Sequence, residues 1–296
     1  MNGLELSRKY FKEVGKPAFE EACPLALERG AVGLVGEGSE CFGFDDEISR
    51  DHDWGPGFCI WLAEEDYKAF GEEAAQLYDS LPKNFMGYER QRVIKLTSDR
   101  VGVHSIPEFY SKYIGLGRAP ETFEEWFNLP ERFISKVTNG EVWQDPLGEF
   151  SKIRNALIAY YPEPVRKRKI AMHAELAAQA GQYNYYRCMQ RGNVVAASHA
   201  LDVFLTNVED LVFLLNLKYC PYYKWAHRAL KALPILGAEV GALMKEIVLA
   251  DTTDSKKRSE AIEKISALII AELKRQGLSN SNSDFLLHHA QEMFDE

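Results

Sequence analysis

Asp51 and Asp53 stand one residue apart, ahead of the apolar run FCIWL and downstream of the small-residue turn Gly36-Glu37-Gly38-Ser39. In an extended strand alternate side chains share a face, so the two carboxylates would converge while His52 points away. Neighbouring anionic groups repel one another unless a cation sits between them. Mg²⁺ suits that position, because it takes one or two carboxylates together with substrate phosphates. A Gly-Ser turn after an apolar strand offers N–H groups and a hydroxyl to such phosphates. Residues 34–62 therefore read as a nucleotide site. The bland alternative is a solvated strand edge with two exposed acids, and acids are depleted in strands.

The elements around that stretch are expected to be mixed. Residues 3–29 carry apolar residues at helical spacing, with a break at Gly15-Lys16-Pro17. Residues 31–36 (AVGLVG) read as a buried strand, 38–44 as a short helix and 45–50 as a charged loop. Residues 51–62 read as a second strand, interrupted at Gly55-Pro56-Gly57. Residues 63–80 form an amphipathic helix with Glu64, Glu65 and Asp66 in its first turn. Residues 91–98 and 101–106 alternate about Asp99-Arg100 and predict a hairpin. Asn139-Gly140 predicts a second, smaller hairpin over 137–145. From Pro146 onward helix formers dominate and strand signals vanish. The predicted class is α+β, with a mixed sheet and its helices over residues 1–125 and a helical bundle over 126–296.

The pattern resembles the nucleotidyltransferase superfamily built on the DNA polymerase beta fold. That family carries an apolar residue, Gly, then Gly or Ser, a spacer of roughly nine to thirteen residues, and Asp-x-Asp before apolar residues. Here Gly38-Ser39 precedes residues 40–50 and then Asp51-His52-Asp53. Within the superfamily the chain is similar to the branch containing aminoglycoside nucleotidyltransferases. It is also similar to an uncharacterised bacterial family of like length that carries GSE…DDEISRDHDWGP, DPLGEF, YNYYRCMQRG and PYYKWAHR. The resemblance implies transfer of a nucleoside monophosphate from an NTP, ATP first among them, to a small-molecule or protein hydroxyl. It implies Mg²⁺ on Asp51 and Asp53, and phosphate contacts at Gly38 and Ser39.

It also implies residues in the helical half. Lys224 in PYYKWAH would touch the triphosphate, and Tyr222, Tyr223 and Trp225 suggest an enclosed setting. Glu209 and Asp210 sit inside the apolar run FLTNVEDLVFLLN, where charges rarely occur without a partner. Glu209 is a candidate general base on that ground. Many family members add a third carboxylate on a later strand. The corresponding stretch here, VGVHSI, offers Gly102 and His104 instead. His104 is then a candidate base or ligand, or an ordinary strand histidine. The missing acid favours a rival reading, a nucleotide-binding regulator or interaction protein that has lost turnover. Glu40 and Asp46 read as solvated or capping acids, Tyr183, Tyr186 and Arg187 as core aromatics or a platform, and His173 and His199 as ordinary helix residues.

Composition narrows the partners. The 296 residues carry a net charge of −9, which argues against a nucleic-acid binder, since such proteins need a basic surface. Five cysteines without C-x-x-C spacing indicate neither a disulfide framework nor a zinc site. No apolar stretch approaches a membrane span, and the N-terminus lacks a signal-peptide core. A soluble cytoplasmic protein without a membrane partner is expected, and an oligomer is compatible with the sequence.

Overall fold

The computed structural model describes residues 1–51, 54–90, 100–252 and 254–295, with Asp51 and Asp295 described by their backbones alone. The fold is α+β. In chain order it begins with α1 (Gly3–Tyr10), a π-helical turn (Phe11–Gly15), α2 (Lys16–Ala22), α3 (Pro24–Arg29), β1 (Ala31–Leu34), β2 (Cys59–Leu62) and α4 (Glu64–Ser80). A short ribbon of β3 (Asn84–Phe85) and β4 (Tyr88–Glu89) follows, then β5 (Gly102–Ser105), α5 (Ile106–Ile114), α6 (Phe123–Asn128), α7 (Glu131–Thr138), β6 (Glu141–Gln144) and α8 (Glu149–Ile158). The remainder is helical: α9 (Glu163–Ala177), a π-helical segment (Ala178–Tyr185), α10 (Tyr186–Gln190), α11 (Val194–Leu215), α12 (Tyr223–Leu230), α13 (Gly237–Leu249), α14 (Ser255–Arg275) and α15 (Leu286–Asp295).

The chain divides into two compact units, Met1–Glu121 with Phe133–Ala159, and Thr122–Arg132 with Tyr160–Glu296. This differs from the expected division at 125/126. Residues 133–159 join the first unit because β6 pairs with β1 and Phe150 stacks on Trp61 at 4.2 Å between ring centroids.

In the first unit the strand order is β5-β2-β1-β6. β1 runs antiparallel to β2 and to β6, and β2 runs parallel to β5. Alternation along β2 explains its unbroken apolar sequence. Phe58, Ile60 and Leu62 join the cluster that includes Tyr10, Phe11 and Phe19, while Trp61 meets Phe109 and Phe150. A strand covered on both faces needs apolar residues at every position. Burying one such side chain stabilises by about 2 kcal/mol. Pro17 lies in the first turn of α2, where its missing N–H costs nothing. The expected break there is instead a π turn along a continuing helical path.

Two further expectations are corrected, and a third lies outside the described residues. The second strand is confined to Cys59–Leu62, and Asp51 closes a 3-10 turn, Ile48–Asp51. Strand alternation therefore does not govern Asp51, and Asp53 lies outside the described residues. The predicted strand 91–98 also lies outside them. No hairpin forms over 137–145, because α7 runs to Thr138 and β6 pairs with β1. A ribbon does form at β3–β4, where Met86 (φ 52°) and Gly87 (φ 81°) both take positive φ, as a tight two-residue hairpin turn requires.

The second unit is a helical bundle in which α9 packs against α11 and α15, and α13 against α14. Side-chain caps open its long helices: Asn193 accepts from Ala196 N–H at 3.2 Å, and Asp254 accepts from Lys257 N–H at 3.0 Å. Among the described residues no helix is long and apolar enough to cross a membrane.

Candidate functional site

Strand register brings four chain segments to one end of the sheet. Gly33 lies opposite Cys59, Cys59 opposite Gly102, and Leu34 opposite Glu141. β1 therefore leaves the sheet where β2, β5 and β6 enter it. The turn Gly36-Glu37-Gly38-Ser39 is the exit of β1, Arg100 precedes β5, and Asn139-Gly140 precedes β6.

Asn139 fixes the turn. Its Oδ1 accepts from Gly36 N–H at 3.0 Å, and its Nδ2 donates to the Gly36 carbonyl at 2.7 Å. Arg154 steadies the same corner by donating to the Val137 carbonyl at 2.9 Å and the Asn139 carbonyl at 2.7 Å. Gly140 N–H donates to the Cys41 carbonyl at 2.8 Å. The Asn-Gly pair thus closes a contact between distant segments in place of a hairpin. Asp45 ties the following loop to the start of α1, accepting from Gly3 N–H at 2.7 Å and from Trp54 Nε1–H at 3.2 Å.

The turn is bordered by charges of both signs. Lys136 pairs with Glu37 at 2.7 Å, and Arg100 pairs with Glu40. Glu40 is 3% exposed, so it is not the solvated acid expected from sequence. Its Oε2 accepts no hydrogen bond among the described residues. Burial draws the Arg100 guanidinium down to about 10, with Tyr113 and Glu37 opposing the fall. The two charged tips close over Gly38: a Cβ there would lie 2.2 Å from Arg100 Nη2 and 2.4 Å from Glu40 Oε2.

The candidate residues separate into groups. Gly38 is buried and Ser39 half-buried in the turn. Asp51 ends the 3-10 turn in the same loop region, and its side chain, like all of Asp53, lies outside the description. His104 is half-buried on β5. It lines a cavity of about 410 Å³ with Tyr78, Asp79, Glu108, Phe109 and Lys112, a described lining that includes no residue of the turn. Among the described residues no three His, Cys, Asp or Glu side chains cluster as metal ligands. Four of the cysteines are buried, and all five are free thiols.

Glu209 and Lys224 belong to the second unit. Lys224 is exposed, with its ammonium 5.2 Å from the Trp225 ring centroid. Tyr223 beside it is 70% exposed, so the enclosed setting expected there is not observed. Glu209 and Asp210 share Arg132 at 3.5 and 3.3 Å. Burial raises the Glu209 carboxyl to about 7, with Arg132 restraining the rise. A second buried group adjoins these residues in sequence. Glu131 accepts from Lys169 at 2.7 Å, and His173 Nδ1 lies 2.8 Å from Asn207 Oδ1. Burial opposes the charge on His173, but the Glu131 carboxylate 3.8 Å from its Nε2 and the nearby Asp210 raise its pKa overall.

Sequence reasoning missed Arg100, Lys136, Asn139 and the buried state of Glu40. Asn139-Gly140 was visible only as a turn, and a lone basic residue carries no signal of its distant partner. It also read His173 as an ordinary helix residue, although it is 7% exposed within this polar group.

Residues 126–226 match a sequence family described as a domain of unknown function, DUF4037. A solved structure of a nucleotidyltransferase-like protein from Exiguobacterium sibiricum is similar to the chain at 12% identity, with a TM-score of 0.41, over 92% of this chain and 76% of that one. The comparison with curated proteins gives no match.

Proposed function

We propose that the chain is a Mg²⁺-dependent nucleotidyltransferase that moves a nucleoside monophosphate from an NTP, ATP first among them, to a hydroxyl acceptor. One observation carries the reading. The Gly-Ser turn leaves β1 at the sheet end where the chain enters β2 after the Asp-x-Asp segment. Phosphate and metal ligands are wanted at one such end.

The donor set fits Mg²⁺, a hard ion that takes oxygen ligands. Asp51 and Asp53 would hold it, and Glu40 adds a buried carboxylate oxygen that no described group satisfies. When bound, the ion supplies charge neutralisation on the polyphosphate. The chain's own residues do the rest. Gly38 and Ser39 receive the phosphates on a turn whose backbone Asn139 immobilises, which is the positioning that phosphoryl transfer requires. The acceptor oxygen forms a bond to the α-phosphorus, the bond to the β-phosphate oxygen breaks, and pyrophosphate departs. The hydroxyl proton passes to solvent as the new bond forms.

The test is pyrophosphate release from NTPs over an acceptor panel of small-molecule and protein hydroxyls. Wild type should release it, and Asp51→Ala and Asp53→Ala should not. Equal release by both variants would defeat the proposal. A second reading, a nucleotide-binding regulator without turnover, draws on β5, where Gly102 and His104 supply no third acid. Mg²⁺-linked NTP binding by calorimetry without product over a long incubation would favour it.

A further inference from the structure

We propose that Arg100 and Lys136 are the polyphosphate-binding cations of the Gly36–Ser39 turn, and that Glu40 and Glu37 are built-in counter-ions that yield them to the ligand. The inference rests on the nucleotide reading above and deepens it.

The turn carries acids at positions 37 and 40, and each meets one cation from elsewhere in the first unit. Arg100 comes from the entry to β5, and Lys136 from the last turn of α7. The Lys136 ammonium lies 4.7 Å from the Phe133 ring centroid and 5.8 Å from that of Tyr113. The rings hold the lysine near the turn without using its hydrogen-bond donors.

The Arg100–Glu40 pair is an incomplete one. A buried ion pair repays its desolvation only when its remaining donors and acceptors are met. Here Glu40 Oε2 and Arg100 Nε are both buried without a hydrogen bond among the described residues. A phosphate oxygen would satisfy the guanidinium donor, and a cation would satisfy the carboxylate. Both groups overhang Gly38, whose missing Cβ leaves them that room. The pair is therefore poised over the bare backbone face of the turn.

The charges account for the consequence. Glu37, Glu40, Lys136 and Arg100 sum to zero, so a metal-free polyphosphate meets two carboxylates competing for the two cations. A polyphosphate arriving with a divalent cation offers each of the four groups a new partner. In this arrangement polyphosphate and metal each bind poorly alone and well together.

The experiment is calorimetric titration of inorganic tripolyphosphate at low salt, first in metal-free buffer and then with Mg²⁺. The proteins are wild type, Glu37→Gln, Glu40→Gln and Lys136→Gln, each checked for its fold by circular dichroism. In metal-free buffer Glu37→Gln and Glu40→Gln should bind about tenfold tighter than wild type, as loss of one nearby like charge implies. Lys136→Gln should bind about tenfold more weakly. Added Mg²⁺ should tighten wild type more than either glutamine variant. Should Glu40→Gln fail to fold, Glu37→Gln and Lys136→Gln decide the matter, because Glu37 is an exposed residue and Lys136 tests the opposite charge. Unchanged metal-free affinity in Glu37→Gln and Lys136→Gln overturns the proposal, even if wild type releases pyrophosphate from an NTP. The shifts named above without any pyrophosphate release uphold the counter-ion role and overturn the transferase reading.

Discussion

Asn139→Ala tests how the turn is held. The side chain makes two hydrogen bonds to one residue, accepting from Gly36 N–H at 3.0 Å and donating to its carbonyl at 2.7 Å. Gly36 is buried, so water cannot freely replace the lost amide. Leaving a buried backbone group unmet costs about 1–3 kcal/mol, and partial access to solvent at Asn139 favours the lower half of that range. The two groups together give a loss of about 2–4 kcal/mol. With a urea slope near 2 kcal/mol per molar, the unfolding midpoint of the first unit should fall by about 1–2 M. Trp54, Trp61 and Trp143 lie in that unit and can report its unfolding by fluorescence. Asn139→Asp keeps the acceptor and loses the donor, so it should give an intermediate loss. A change of less than about 0.5 kcal/mol for Asn139→Ala would show that the clasp contributes nothing. Equality of Asn139→Asp with wild type would show that the carbonyl needs no partner.

The second unit supplies two pH predictions of opposite sign. Burial would raise the Glu131 carboxyl, but His173 and Lys169 outweigh it and bring the pKa from 4.5 to about 2. A depressed carboxylate stabilises the fold above its unfolded pKa, so about 3 kcal/mol present at pH 6 should be lost as pH falls from 4.5 toward 2. Glu131→Gln should flatten that part of the stability profile in acid titrations of unfolding. Glu209 runs the other way: burial raises it from 4.5 to about 7 against the pull of Arg132. Its protonated form favours the fold below pH 4.5, and up to about 3 kcal/mol should be lost as pH rises through 7. Glu209→Gln should remove that slope between pH 5 and 8 in titrations of unfolding.

The fold was legible where one physical demand dominates. β1 and β2 are short and apolar because both faces of the sheet are covered, and FCIWL states that demand directly. The long helices after Pro146 declare themselves through composition and through caps such as Asn193 and Asp254. Asn139-Gly140 was misread for a definite reason. The pair has the local chemistry of a hairpin turn, yet the asparagine amide is used 103 residues away, on Gly36. A turn residue whose side chain serves a distant backbone looks the same in sequence as one that serves its own loop. The expected division at 125/126 differs from the division into compact units for the same reason, since β6 looks like half of a local hairpin until it is seen beside β1.

The proposed site draws its acids and glycines from one stretch of sequence and its cations from others. Asp51, Asp53, Gly38 and Ser39 occur within one short stretch, so spacing alone joins them. Arg100 and Lys136 come from other segments and meet that stretch only through strand register. Glu40 was read as solvated because an acid after a Gly-Ser turn is usually exposed. The structure buries it against Arg100. This difference changes the chemistry of the turn. With exposed acids, Gly36–Ser39 would be a bare phosphate cradle open to any polyanion. With Glu40 buried and Glu37 on Lys136, the turn carries its own anions. Under the counter-ion proposal such a turn would favour a ligand that brings a cation with it, and would discriminate by charge balance before any base or acceptor is recognised.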